Sequence, residues 1–111
     1  MKNNHRQQTS QLLSTLRRVH SLDNTMTITQ LMSLLEVALN SGELSSSELA
    51  EKLQVTKPSV TRIVDLWGDE GVAAKQGRKM IRRTDLENDR RTKVLFITPS
   101  GERFVKSLFT L

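Results

Sequence analysis

The sequence contains no cysteine, so disulfide bonds, thiolate metal sites and a redox-sensitive thiol are excluded. It also has no apolar run approaching the roughly 20 residues that are needed to span a bilayer. Residues 2–8 are polar, and no apolar signal-peptide segment follows them. We therefore expect a cytoplasmic protein with no membrane partner.

The sequence also lacks groups of side chains suited to catalysis or metal binding. The two histidines, His5 and His20, have no clustered carboxylates beside them, which argues against a metal site. No serine or threonine has a histidine and an acid placed to activate it as a nucleophile. The sequence thus predicts a protein that is not an enzyme and uses no cofactor.

What the sequence does have is an excess of positive charge in one short segment. The 111 residues suffice for one small domain, and the net charge is +5. Residues 75–93 hold eight Lys and Arg residues and three Asp and Glu residues, so this window alone has a balance of +5. A basic protein can simply be soluble, but so local a concentration is typical of a phosphate-binding surface.

Helical signals dominate the first part of the chain. Apolar residues recur at helical spacing over residues 5–22, which predicts an amphipathic first helix. Thr27 and Gln30 match a capping box, so a second helix is expected over residues 28–39. Gly42 follows as a residue suited to the left-handed end of a helix.

The next segment predicts a helix-turn-helix. Ser45 and Glu48 match a second capping box, which starts a short helix. After a tight turn, Thr56 is a suitable N-cap, and Pro58 falls in the first turn of the next helix, where its missing N–H has no cost. Two short helices joined in this way form a helix-turn-helix.

The pattern then changes to that of a β-hairpin. Residues 72–83 and 92–97 predict two strands, and residues 84–89 have the composition of a turn. The expected fold is mainly α with a small β-hairpin, that is, a winged helix-turn-helix. A single domain over residues 1–111 is predicted, with an N-terminal helix at 5–22, the helix-turn-helix at 45–70, the wing at 72–97 and a C-terminal helix at 98–111.

In a helix-turn-helix, the second helix enters the major groove of duplex DNA. The apolar stripe that begins at Val60 must face the core, which leaves four polar side chains outward. Arginine suits guanine, and hydroxyls suit bases or phosphates. The same residues are also compatible with an ordinary solvated helix surface. The outward residues are Lys57, Ser59, Thr61 and Arg62.

The basic hairpin favours DNA binding over that alternative. Arginine at a wing tip suits the negative potential of the minor groove. Asp89 stands beside Arg90 and Arg91, and its carboxylate is expected to orient the Arg91 guanidinium. We also count Arg82 and Arg83 among the candidate DNA contacts.

Two segments resemble the MarR family of bacterial transcriptional regulators. Residues 49–65 are similar to that family's helix-turn-helix, and residues 89–101 are similar to its wing and the start of its next helix. The resemblance implies major-groove contacts for Ser59, Thr61 and Arg62. It also implies a wing element in which Arg91 enters the minor groove and Asp89 supports it, and it suggests phosphate contacts for Ser47 and Lys57.

Three features depart from the family pattern. Gly68 stands where a helix former is usual, so the recognition helix is expected to stop early. The stretch before Asp89 is longer, with residues 77–79 added. The chain also ends about one helix after the wing, so we expect a short member without most of the C-terminal dimerisation region. Apolar residues of the last helix, with Leu12, Leu16 and Val19, form either a homodimer face or part of the monomer core. A small-molecule effector is left open.

Two functions follow from these observations. The first is a sequence-specific regulator of transcription that binds double-stranded DNA, most simply a repressor that occupies an operator. The second is a winged-helix module that binds another protein, such as an anti-regulator or a subunit of a complex. Salt separates them, because DNA binding weakens steeply with ionic strength and an apolar protein interface does not.

Overall fold

A computed structural model describes residues 5–68, 78–86 and 89–109, with the backbone alone described at positions 85, 86 and 89–92. A helix-turn-helix is followed by a β-hairpin, which confirms the predicted winged helix-turn-helix fold. None of the helices in these ranges is both long and apolar enough to cross a membrane. The elements are α1 (Arg6–Leu22), α2 (Ile28–Leu39), β1 (Leu44–Ser45), α3 (Ser46–Leu53), α4 (Lys57–Trp67), β2 (Ile81–Leu86), β3 (Asp89–Ile97) and α5 (Pro99–Ser107).

Side-chain caps determine where four of the helices begin. At α2, the Gln30 backbone N–H donates to the Thr27 hydroxyl at 3.1 Å, and the Thr27 backbone N–H donates to Gln30 Oε1 at 2.9 Å. Both bonds satisfy donors that the first turn of a helix leaves free. The caps predicted for α2, α3 and α4 are confirmed, because their N-cap residues are Thr27, Ser45 and Thr56, and α5 is capped in the same way by Thr98.

Three antiparallel strands form a small sheet in the order β1-β3-β2. Leu44 of β1 pairs with Leu95 of β3, and Ile81 of β2 pairs with Ile97 of β3. The sequence did not predict β1. Ser45 serves as both the end of this strand and the N-cap of α3, because an N-cap residue has the extended backbone of a strand.

Of the predicted bounds of the hairpin strands, the end of the second at position 97 is confirmed, whereas the end of the first and the beginning of the second are wrong. Residues 84–86, assigned to a turn, belong to β2, and β3 begins at Asp89 instead of at position 92. Thr84 pairs with Val94 and Asp85 with Lys93, so the ladder satisfies backbone groups whatever the side-chain polarity. The pairing register shifts between Asp85, which pairs with Lys93, and Leu86, which pairs with Asp89. Positions 72–77 of the predicted first strand lie outside the described residues.

The core lies between α2, the helix-turn-helix and the inner face of the sheet. Its largest member is Trp67, which is fully buried and packs near the Phe104 ring at a centroid distance of 6.4 Å. The Trp67 indole N–H donates to the Gln30 carbonyl at 2.8 Å, which ties the end of α4 to the beginning of α2. Its companions include Leu34, Val37, Leu44, Leu49, Val60, Val64, Ile81 and Leu95.

Helix α1 contributes little to this core. Leu12, Leu13 and Leu16 are 60%, 47% and 45% exposed, whereas Val19 is buried. The sequence left open whether these apolar residues form a homodimer face or part of the monomer core. Their exposure excludes the monomer core for the three leucines. The helix is held instead by polar bonds to the end of α5, where Thr15 and Arg18 donate to the carbonyl of Leu108.

The recognition helix ends at Trp67, and Gly68 is its C-cap, which confirms the expected early stop. Residues 79 and 80 lie beside the end of this helix, since the Met80 N–H donates to the Trp67 carbonyl at 2.8 Å and the Lys79 N–H donates to the Gly68 carbonyl at 3.3 Å. Of the three added residues, Gly77 lies outside the described residues. Arg78 forms an ion pair with Asp23 at 3.1 Å.

Gly68 is required by a close approach of two backbone segments. Its φ of −91° is ordinary, so alanine would normally stabilise this position slightly by restricting the unfolded chain. A Cβ here would lie 2.9 Å from the Val64 carbonyl oxygen and 3.4 Å from that of Ile81. We expect Gly68→Ala to lower the free energy of unfolding by about 1–3 kcal/mol, measured by urea denaturation. A stability equal to or above wild type would contradict this close approach.

The capping box of α3 predicts a pH-dependent contribution to stability. The Ser45 backbone N–H, with help from the Ser45 hydroxyl, lowers the pKa of the Glu48 carboxyl. Because the pKa is lower in the folded state, this contribution is present above the ordinary glutamate pKa of about 4.3 and is lost as the pH falls through the folded value. Wild type should therefore lose stability between pH 7 and pH 3 relative to Glu48→Gln, which keeps the acceptor but does not titrate. If the difference in urea midpoint between wild type and Glu48→Gln were the same at pH 7 and pH 3, the Glu48 carboxylate would make no pH-dependent contribution.

Candidate nucleic-acid interface

Helix α4 lies at the surface with its N-terminal half accessible. The Thr56 hydroxyl accepts from the Ser59 N–H at 3.3 Å, and Pro58 lies in the first turn as predicted. Val60, Val64 and Trp67 are buried, which fixes the rotation of the helix and directs the remaining side chains outward. The buried stripe is that expected from the sequence, except that Ile63 is only half-buried.

The outward residues of α4 divide between two clefts. Lys57 and Thr61, four positions apart, line a cleft on the side of the sheet, whereas Ser59 and Arg62 line a cleft on the side of α2. The predicted contacts of the recognition helix therefore lie on one helix but not in one site.

The first of these, here called the wing-side cleft, has a volume of about 390 Å³. It lies between the helix-turn-helix and the inner face of the hairpin, and no carboxylate is among its lining residues. Three cations and three hydroxyls make it suited to an anion. It is lined by Ser46, Ser47, Lys57, Thr61, Arg83 and Lys93.

One of these cations is held by an acid at the side of the cleft. Arg83 Nη2 lies 3.5 Å from Asp65 Oδ1, and about a quarter of each side chain is exposed. Asp65 belongs to α4 and Arg83 to β2, so the ion pair joins the recognition helix to the wing. A guanidinium has several donors, and a contact with one carboxylate leaves others to face the cleft.

The second cleft, here called the α2-side cleft, has a volume of about 380 Å³ and carries less charge. Arg62 is its charged residue and is exposed. Within the part of the chain that the structure describes, the Arg62 guanidinium forms no hydrogen bond or ion pair. Its remaining lining residues are Thr27, Thr29, Gln30, Val55, Ser59 and Ile63.

Two hydroxyls that the sequence placed among the DNA contacts are already bonded within α4. The Thr61 hydroxyl donates to the Lys57 carbonyl at 3.2 Å. Ser59 Oγ lies 2.9 Å from Thr56 Oγ1 and shares a hydrogen bond with it. Arg62 and Lys57 are thus the outward residues of this helix whose side-chain polar groups have no bond among the described residues.

Arg82 and Arg83 lie on opposite faces of the sheet, because successive residues of a strand alternate. The Arg82 guanidinium carbon lies 5.2 Å from the ring centre of Phe96, its cross-strand partner, at a distance typical of a cation–π contact. The structure therefore brings Arg83 to the wing-side cleft and leaves Arg82 on the outer face.

For the expected wing-tip contacts, the structure describes the backbone and not the side chains. Asp89, Arg90 and Arg91 belong to β3, but their side chains lie outside the described residues. The support of Arg91 by Asp89 stays a prediction.

Among the cleft-lining residues that the sequence did not place among the contacts are Ser46 and Lys93 of the wing-side cleft and Thr29 of the α2-side cleft. Lys93 was detectable, since it lies in the basic window and alternation puts positions 93, 95 and 97 on the face of Arg83. Ser46 and Thr29 carried no such signal, because their positions depend on how neighbouring helices pack. In the described ranges, no three His, Asp or Glu side chains are grouped as metal ligands.

Comparison with known sequences gives relatives for part of the chain, although no protein-family model matches it. The HTH-type transcriptional regulator PapX of Escherichia coli is 40% identical over 65 residues, which are 59% of this chain and 35% of PapX. PrsX of the same species, also an HTH-type transcriptional regulator, is 37% identical over 65 residues, which are 59% of this chain and 34% of PrsX. The match thus spans about a third of the length of these relatives.

Solved structures resemble most of the chain. MepR of S. aureus in a complex with DNA superposes with a TM-score of 0.69 at 21% identity, covering 90% of this chain and 73% of MepR. MarR gives 0.63 at 23% identity, covering 90% of this chain and 65% of MarR. YusO from Bacillus subtilis gives 0.61 at 26% identity, covering 91% of this chain and 61% of YusO. The resemblance inferred from the sequence is confirmed, and the chain has the winged-helix fold of the MarR-family regulators.

Proposed function

We propose that this chain binds double-stranded DNA in a sequence-specific manner and regulates transcription, acting as a repressor by occupying its operator. Helix α4 enters the major groove and the wing approaches the minor groove. The observation that carries the proposal is the wing-side cleft, where Lys57, Arg83 and Lys93 converge beside the exposed N-terminal half of a recognition helix.

The wing-side cleft suits a phosphate of the DNA backbone. Its cations supply charge-assisted bonds, and the hydroxyls of Ser46 and Ser47 stand at the first turn of α3, where free backbone N–H groups also favour an anion. Such contacts position a protein on the duplex without reading its sequence.

On the side of α4 that faces α2, Arg62 is the residue that we propose to contact a base. Its guanidinium is exposed and unpaired among the described residues, so two of its donors are available for guanine O6 and N7. Ser59 accompanies it in the α2-side cleft. At the wing, Arg91 would insert into the minor groove with Asp89 behind it and Arg90 near phosphates, while Arg82 is proposed to contact phosphate from the outer face.

The MepR complex contains DNA, and PapX and PrsX are regulators of the helix-turn-helix type. These likenesses support a DNA-binding regulator for the present chain. The charge distribution supports the same proposal, because the segment that contains the hairpin, residues 75–93, has a net charge of +5.

A homodimer is the assembly that we propose for this function. Leu12, Leu13 and Leu16 of α1 form an exposed apolar stripe, and Phe109, just beyond α5, is 70% exposed. Pairing of these surfaces in two copies would remove them from water and present two recognition helices to a symmetric site. Sedimentation at micromolar concentration should find a dimer, and Leu12→Glu should shift it to monomer. A wild-type chain that remains monomeric with and without DNA contradicts the assembly.

A protein-binding module is the second candidate, favoured by one observation. An apolar groove of about 340 Å³ between α2 and α5 is lined by Leu35, Ala38, Leu39, Val105 and Phe109, and Leu39 is 81% exposed. Binding to a protein through such a surface would depend little on salt. The experiment that follows therefore distinguishes the two functions.

We expect duplex affinity to fall by about 0.9 log unit per log unit of salt for each phosphate contacted. Lys57→Ala should reduce this slope by about one contact, because Lys57 lines the wing-side cleft. Arg17→Ala removes the same charge from α1, away from both clefts, and should reduce the slope by less. Arg91→Ala should weaken binding to most sequences. Fluorescence anisotropy over 50–300 mM salt measures all four proteins, and a flat slope for wild type would contradict DNA binding.

The same assay tests base reading by Arg62. Using a site selected from random duplexes, Arg62→Ala should reduce the preference for that site over unrelated DNA by about 1–3 kcal/mol. Arg17→Ala is the matched control, since Arg17 is exposed on α1 and lines neither cleft. Equal losses in the two variants would mean that charge, and not a base contact, accounts for the effect.

A further inference from the structure

Thr61 lies on the recognition helix at the edge of the basic wing-side cleft. It lines the wing-side cleft together with Lys57, Arg83 and Lys93, and its side chain is exposed. A DNA phosphate attracted into this cleft would therefore bring the adjacent nucleotide beside Thr61. What Thr61 can recognise on that nucleotide depends on the orientation of its hydroxyl.

The Thr61 hydroxyl uses its proton inside the helix. It donates to the Lys57 carbonyl at 3.2 Å, a back-bond to the preceding turn. A hydroxyl has one proton, so while this bond holds it cannot donate to guanine O6, guanine N7 or thymine O4. Since the oxygen is directed along the helix, the methyl group on the tetrahedral Cβ occupies a different direction and presents an apolar contact.

One base carries a matching apolar group in the major groove. Thymine has a C5-methyl group, which lies at the edge of the groove near the backbone of its own strand. A nucleotide whose phosphate is held by the wing-side cleft would thus bring such a methyl group toward the Thr61 methyl. Resting on the proposed function, we infer that Thr61 is a specificity-determining residue that recognises thymine through methyl–methyl contact, with the adjacent phosphate in the wing-side cleft.

Two nearly isosteric substitutions separate the methyl from the hydroxyl. Thr61→Val keeps a methyl and removes the hydroxyl, whereas Thr61→Ser keeps the hydroxyl and removes the methyl. The DNA offers the matching change, because deoxyuridine is thymidine without its C5-methyl group. The probe is a duplex selected from random sequence by the wild-type chain, in which each thymine is replaced in turn by uracil.

At one thymine of each half-site, uracil should weaken wild-type binding about three- to tenfold, the scale of one buried methyl group. Thr61→Val should bind the thymine duplex within about twofold of wild type and remain sensitive to uracil. Thr61→Ser should lose affinity by a similar factor and no longer distinguish the two bases. Direct contact requires this lack of additivity, since effects of uracil on DNA shape alone would add to those of the variant.

Several outcomes overturn the inference. If Thr61→Ser behaves as wild type and Thr61→Val loses binding, the hydroxyl accepts a bond from adenine or cytosine instead. If no thymine is sensitive to uracil, or if the two changes add, the methyl contact does not exist. Thr61→Ala, which also lacks the γ-methyl, should reproduce Thr61→Ser, and circular dichroism checks that each variant is folded. Failure of the proposed function looks different, since wild type would then show no salt-dependent duplex binding.

Discussion

The position of the recognition helix depends on the junction at Trp67. The buried indole N–H reaches the Gln30 carbonyl at 2.8 Å, and the Trp67 carbonyl accepts from Met80 at the entrance to β2. One residue therefore fastens α4 to α2 on one side and to the wing on the other. The buried Trp67 indole N–H would lose its hydrogen bond if the helix rotated away from Gln30, so the observed arrangement is preferred over a small rotation of the helix. Gly68 makes the junction possible, because its missing side chain allows the Val64 and Ile81 carbonyls to approach.

With its C-terminal end fixed in this way, α4 lies between the two clefts and lines both of them. The wing-side cleft carries the positive charge that suits a backbone, and the α2-side cleft carries the single guanidinium that suits a base. The Asp65–Arg83 ion pair joins α4 to the sheet and orients the Arg83 side chain at the edge of the wing-side cleft. Being partly exposed, that pair contributes little to stability, and its effect lies in orientation.

Local signals in the sequence predicted local structure well. The caps at Thr27, Ser45, Thr56 and Thr98 depend on neighbours within three residues, and all four helices begin where these signals lie. The hairpin was harder, because Thr84 and Asp85 have turn-like side chains but their backbone is paired across the sheet. The candidate contacts on α4 followed from the apolar stripe, yet their division between two clefts depends on tertiary packing. Likewise, nothing local distinguishes Arg83, which Asp65 holds, from Arg82, which lies over Phe96.

The two backbone bonds from Lys79 and Met80 to Gly68 and Trp67 join the end of α4 to the approach to β2. Because the recognition helix and the first strand of the hairpin are attached to each other at one point, a displacement of one of them also acts on the other. A partner that moves α4 on contact would therefore move the hairpin as well, so that binding at the two elements would be coupled.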